Sequence, residues 1–556
     1  MSLAGVLPQA AGYEDLCIPI ECVLLPYAKK TIIREKALRD DVHEKIEVDW
    51  FIFGVGCLIL LAIIVPLVVA PQWSGDMINA TFDKVTSELG VFYVIAAIAT
   101  LGFLLWIAIS PYGRVRLGDI ENRTFSNFSW ASMLFCAGIG ASLIYWGAAE
   151  WVYYYVDPPF GIEPKSEEAL FWAISYGAFH WGPVGWALYC LPAVTIGYSY
   201  HVRKVASLRL SAACHSVLGK QEKKWPGRIV DLMFIVGLMA TCSTGLGLGT
   251  SVVSSAINRL TGLDEGTTLQ FSIIGLATLL IAFSVYRDLD KGIKVLSLFN
   301  AWLAVILVAF VFIVGPTTFI LETSLVAVGK ISQNFFTMIT WTDPLQKSTF
   351  VESWTVFYWA WWLALGPFVG MFVCKISEGR TLREIIFGML GWGTLGCAMF
   401  FMVLGNYAVY LELNGLYPVV QQVMDIGPSA AIAGMIEMLP GGALWLVFLA
   451  LIGLIFIATS YDSASYTLAA GATKALGEHD HPARWHRVFW AFGLGVLPIC
   501  LISLGGVKAL QTASIVASVP ILFVYVLLAV STVKMLRADS ARNNWLMNSE
   551  SHSAAS

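Results

Sequence analysis

The chain has 556 residues, of which 57% are hydrophobic and only 13% charged, with a formal net charge of −4 at neutral pH. Soluble globular chains carry charge on roughly a quarter of their residues. Water is therefore not the solvent for most of this surface, which excludes a soluble protein.

Residues 1–48 come first, and Glu14, Asp15 and Glu21 interrupt them without a basic stretch leading into an apolar core. They read as a cytosolic tail rather than a cleaved signal. Apolar runs of about 20 residues then recur, each long enough to cross a hydrocarbon layer of about 30 Å as a helix. Twelve spans are predicted, at 51–70, 89–110, 129–156, 169–201, 228–258, 268–286, 292–320, 353–376, 383–411, 442–473, 486–504 and 511–533. Several are longer than a crossing requires, which implies tilt, a break or projection beyond the bilayer. The expected fold is all-α and polytopic. Two peripheral helices occupy 49–128, a five-helix unit 129–320, an amphipathic connector 321–352, a second five-helix unit 353–536 and a short cytosolic tail 537–556.

Charge placement gives this topology a direction. With both termini in the cytoplasm, 28 of the 34 Lys and Arg fall inside, and only Lys84, Lys165, Arg259, Lys330, Lys347 and Lys508 outside. One orientation alone satisfies the positive-inside rule; the expected location is a cell inner membrane. The basic clusters Lys220 to Lys224 and Arg484 to Arg487 each flank a span, so they read as topological anchors and not as a nucleic-acid surface. The ten cysteines are scattered without a CxxC spacing, which indicates neither a disulfide framework nor a metal centre.

Two spans are interrupted. Ala137-Gly-Ile-Gly-Ala-Ser142 lies in the third and Gly366-Pro-Phe-Val-Gly370 in the eighth, the opening helices of the two five-helix units. Matched interruptions in two halves point to a midplane binding site in an inverted-repeat transporter, where irregular backbone lines a cavity. The other reading is that small residues let helices pack closely.

Aromatic residues form a second pattern. His180-Trp181-Gly-Pro-Val-Gly-Trp186-Ala-Leu-Tyr189 gathers three large rings within an arc of about 140° if the segment is one helix. Trp354-Thr-Val-Phe-Tyr-Trp-Ala-Trp361-Trp362 aligns Trp354, Tyr358 and Trp361 on one stripe with Trp362 beside it. Rings facing one cavity suit a quaternary ammonium or sulfonium, which has no hydrogen-bond donor and is attracted by ring quadrupoles, at about 2 kcal/mol or more per contact when desolvated. Interfacial or lipid-facing placement is the alternative for Trp354 and Trp359.

These blocks, with Pro158-Pro-Phe-Gly161, Ile376-Ser-Glu-Gly-Arg-Thr381 and Thr459-Ser-Tyr-Asp-Ser463, resemble the betaine/carnitine/choline transporter family from about Val48 to Leu536. The resemblance implies twelve helices, ten of them an inverted-repeat (5+5) core, assembled as a homotrimer in membrane lipid. It implies a trimethylammonium-type substrate, with Trp181, Trp186, Tyr189, Trp361 and Trp362 matching the aromatic box and gate and Tyr153 an aromatic contact on the first core helix. One departure is Leu365, where members often carry an aromatic ring.

The resemblance also implies a sodium ion as coupling ion, held by the carbonyls of Cys136 and Ile139 and the hydroxyls of Thr459 and Ser460. Sodium-independent exchangers of the family place methionine and arginine where this chain has Val369 and Asn300, so it resembles the sodium-coupled branch. Choline-type members place an aspartate where this chain has Ser142, which favours a zwitterion over a bare cation. The functional expectation is a secondary transporter importing a zwitterionic betaine, with a carnitine-type precursor/product exchanger as alternative. An integral membrane enzyme would need a cluster of His, Asp or Cys at a membrane face; only His180 lies inside a span away from its ends, and no nucleophile motif is present. Glu150 and Asp462 read as packing or capping residues as readily as functional carboxylates.

Overall fold

The computed structural model describes residues 47–118, 123–137, 140–205, 207, 209–286, 290–345, 347–474 and 481–543. Regular structure among them is helical, apart from the isolated bridges Val48 with Thr473 and Arg116 with Thr381. The long helices are α1 (Trp50–Val69), α2 (Pro71–Ile109), α3 (Asn127–Ala137), α4 (Ala141–Val156), α5 (Glu167–His180), α6 (Pro183–Gly197) and α7 (Trp225–Thr261). There follow α8 (Thr267–Tyr286), α9 (Asp290–Val314), α10 (Thr317–Thr340), α11 (Val351–Ile376), α12 (Leu382–Leu413), α13 (Gly442–Gly471) and α14 (Arg484–Asn543).

Local chemistry sets where these helices start and stop. Asp49 caps α1 by accepting from the Ile52 amide, and Ser166 caps α5 with Glu167 and Glu168 in the first turn. Thr381 and Glu384 form a reciprocal capping box at the start of α12. Gly262 ends α7 at φ 74°, a left-handed cap that a side chain resists.

Large apolar side chains cover the outward faces: Phe128, Phe336, Val69 and Ile313 are each more than 70% exposed. In water such a surface would aggregate; against acyl chains it is matched. The protein is a multi-pass membrane protein. Among the described residues nine helices are long and apolar enough to cross a bilayer, or ten if α3 and α4 count as one bent span.

The remaining expected crossings take other forms. The segment 169–201 is two helices of 14 and 15 residues, α5 and α6, each too short for about 30 Å alone. The spans 486–504 and 511–533 lie in one 60-residue helical run, α14. That run doubles back on itself. Trp490 packs beside Gly56 and Ile235 while Ile521 packs on Gly237 of the same helix α7, although a straight helix would separate residues 31 apart by about 45 Å.

The segments that charge placement puts on one side meet at one end of the bundle. The Asp49 amide donates to Ala472 O at 2.8 Å, Arg209 lies 3.7 Å from Asp49 and 3.6 Å from Asp231, and Arg203 pairs with Asp539 at 2.6 Å. Leu117 donates to Arg380 O at 2.8 Å at the same set of junctions.

The third span is broken as expected: α3 and α4 are bent by 55°, and Gly140 is extended at φ −150° and ψ 176°. The eighth span is not. Helix α11 runs continuously through Gly366, Pro367 and Gly370. A Cβ on Gly366 would stand 2.0 Å from the Tyr525 hydroxyl, and one on Gly370 would stand 2.8 Å from Ala193 N. These glycines admit the close approach of α6 and α14 instead of opening the backbone. The second break lies in the fourth span, at Trp181-Gly182, where Pro183 starts α6 and no helical amide is needed.

Candidate functional site

Four elements meet where the aromatic blocks converge: the α5–α6 break, α6, α11 and the middle of α12. Trp362 is the hub. Its ring lies 5.5 Å from Trp181, 5.8 Å from Trp186 and 4.3 Å from Tyr189 between centroids. Trp361, one position earlier, stands edge-on to Trp181 at 5.8 Å and stacks on Phe357 at 5.6 Å. These are aromatic contact distances, and most of the planes are steeply inclined, the edge-to-face arrangement that ring quadrupoles favour. All five side chains are buried.

The helical arc expected for 181, 186 and 189 is interrupted by the break, so only Trp186 and Tyr189 keep helical spacing, at 5.6 Å. Trp181 joins them because both sides of the break pack on Trp362. Two glycines seat the rings. A Cβ on Gly185 would stand 2.7 Å from Trp362 Cε2, and one on Gly393 in α12 would stand 2.3 Å from Trp186 Cδ2. The Gly182-Pro-Val-Gly185 stretch between Trp181 and Trp186 hints at Gly185; Gly393 carries no sequence signal.

Tyr153 lies elsewhere. Its ring packs on Trp354 at 4.9 Å, and Trp354 reaches the cage through intervening rings, among them Trp146 and Tyr358. Trp354 and Trp359 are 8% and 0% exposed, which overturns lipid-facing placement for both. Ser142 faces α7, with its Oγ 3.2 Å from where a Gly245 Cβ would stand.

Of the four residues expected around sodium, Ile139 lies outside the described residues. Cys136 is in the last turn of α3, half-buried. Thr459 and Ser460 lie mid-way along α13, which packs against α4. The Thr459 hydroxyl donates back to Ile455 O at 2.9 Å, and Ser460 is exposed. Asn300 is buried and donates to Ile452 O at 3.1 Å, tying α9 to α13.

The residue that sequence reasoning underrated is Glu150. It is wholly buried in α4, and its carboxylate accepts from the Tyr154 and Tyr358 hydroxyls and, at 3.2 Å, from the Trp181 indole N–H. Asp462, read with it, lies in α13, 3.6 Å from Arg487.

A membrane bundle broken in two of its core helices, with a buried tryptophan cluster at one break, is the setting of a solute carrier. The model of BCCT, the betaine/carnitine/choline family transporter, matches residues 51–541. The chain belongs to the betaine/carnitine/choline transporter family. It is 35% identical over 442 residues to the uncharacterized transporter YeaV of Escherichia coli strain K12, covering 79% of this chain and 92% of that one. It is 33% identical over 504 residues to the carnitine transporter of Acinetobacter baumannii, covering 90% of this chain and 92% of that protein. Members of this family are transporters and not enzymes, and this chain is a transporter of the betaine/carnitine/choline type.

Proposed function

We propose that the protein imports a zwitterionic quaternary ammonium or sulfonium compound such as a betaine, coupled to sodium, from a homotrimer in the cell inner membrane with both termini cytoplasmic. Trp362 carries the substrate assignment, because its buried ring touches Trp181, Trp186 and Tyr189 at one point between two halves of a broken span. A methylated cation has only ring faces to bind, and these are desolvated here. The rings lie at contact distance, so a headgroup enters by parting them; Leu365, half-buried one turn beyond Trp361, leaves that side of the box without a ring. Ser142 brings no charge to the substrate, so a solute that carries its own carboxylate is favoured over choline.

The sodium assignment to Cys136, Ile139, Thr459 and Ser460 draws support from the broken third span, whose freed carbonyls suit a cation. A hydroxyl that donates to Ile455 O keeps its lone pairs, so the bond made by Thr459 is compatible with ligation. The trimer and the orientation rest on the family and on the 28 basic residues assigned to one side. Sodium-independent exchange of a carnitine-type solute is the second reading, its solute class supported by the similarity to the carnitine transporter of A. baumannii.

Uptake of a labelled betaine into proteoliposomes, in sodium and in potassium buffer, with choline as competitor, separates these. Uptake that needs sodium and resists choline is expected. Equal uptake in both buffers selects the exchanger, and equal inhibition by choline and unlabelled betaine removes the zwitterion preference.

A further inference from the structure

Three helices meet on the Glu150 carboxylate. Oε2 accepts from Trp181 at the α5–α6 break and from Tyr358 of α11, while Oε1 accepts from Tyr154 of α4 itself. Three donors aimed at one carboxyl suit its ionised form. His180 is its one basic neighbour among the described residues, its Nδ1 3.7 Å from Oε1 and 3.0 Å from the Tyr154 oxygen, its Nε2 3.1 Å from Thr355 Oγ1. The Tyr154 hydroxyl donates to Glu150, which leaves its oxygen to accept from Nδ1–H; the Thr355 hydroxyl, able to donate or accept, is assigned as the donor to Nε2. One donor and one acceptor make a neutral imidazole, a tautomer assigned from the network. No Lys or Arg among the described residues pairs with Glu150.

An anion without a counter-charge in a packed interior costs several kcal/mol unless something offsets it. Here the offset on the protein side is hydrogen bonding alone, and the nearest place for a cation is the ring cluster directly behind Trp181. That ring touches both Trp361 and Trp362. Donation of the indole N–H to an anion also enriches the ring in electron density, which strengthens its face toward a cation.

We propose that Glu150 is the specificity-determining residue of this site: through Trp181 it makes the cage select a methylated cation over a neutral group of the same shape. This rests on the cage assignment made above. A residue that merely knits three helices would affect both kinds of ligand alike.

The test compares affinities of the purified full-length protein for the zwitterion trimethylammonioacetate and for its tert-butyl isostere, 3,3-dimethylbutanoate. Wild type is expected to prefer the cation by at least about tenfold. Glu150→Gln is expected to lower that ratio on the order of tenfold, the scale of one charge lost at roughly 10 Å in a protein interior. Glu150→Asp keeps the charge and is expected to hold the ratio within about twofold of wild type even where both ligands bind more weakly. A Glu150→Gln protein in which both ligands weaken in parallel overturns the proposal. Should that variant not purify as a folded protein, Glu150→Asp decides: equal binding of both ligands by it overturns the proposal as well. If wild type itself binds both equally, the cage assignment fails first, a result distinct from failure of Glu150 alone.

Discussion

The helices that open the two proposed five-helix units carry the same kind of interruption and resolve it in opposite ways. Around Gly140 the backbone leaves the helix and turns by 55°, and a Cβ placed on that glycine meets nothing within 4 Å. Around Gly366 and Gly370 the helix continues, and a Cβ meets the Tyr525 hydroxyl or the Ala193 backbone. In the first helix a glycine-rich stretch lets the chain bend. In the second it lets a neighbouring helix come close, and Tyr525 uses the gap to donate to Leu188 O at 2.7 Å.

The contrast is open to experiment. The largest effect is expected for Gly366→Ala, which overfills a packed contact and displaces the Tyr525 hydroxyl, at a cost of about 1–3 kcal/mol or more. Yield of monodisperse protein after detergent extraction should fall sharply, and a normal yield would break the packing account of α11. Trp362→Ala comes next: uptake should vanish because the hub ring is lost, and Trp362→Phe, which keeps a ring and most of the buried volume, should keep partial activity with normal yield. Retained transport by the alanine variant would remove the cage.

Gly393→Ala tests the seat of Trp186, 2.3 Å from the added methyl. Its KM is expected to rise about tenfold or more, because the Trp186 ring is forced from its rotamer, with a loss of yield of the same kind as for Gly366→Ala. An unchanged KM would mean that Trp186 does not set the box. The smallest effect belongs to Gly140→Ala, whose φ of −150° any residue adopts. Uptake within about twofold of wild type is expected, and a loss as deep as that of Gly366→Ala would erase the distinction between the two helices.

The aromatic residues that meet at Trp362 were legible because large rings in a membrane span are conspicuous and recur in a known family pattern. The glycines behind them were less so, since an isolated glycine such as Gly393 has the same appearance whether it faces lipid or an indole. Tyr153 matched the pattern by position yet packs on Trp354, because its side of α4 turns toward the start of α11. Glu150 was weighed as packing or capping because its distance from the end of the third span is visible in sequence and its three donors are not.

Composition and periodicity determined by themselves that this chain lives in a bilayer as helices, because hydrocarbon leaves backbone groups no other partner. Charge placement added an expected direction, and the residue blocks added the family. What only the tertiary structure decided is which interruptions bend: that depends on whether a neighbouring helix fills the space beside a glycine. It also decided that Trp181, set apart by a break from Trp186 and Tyr189, reaches them across the ring of Trp362. Such proximity is a property of helices packed side by side, and no spacing along one chain encodes it.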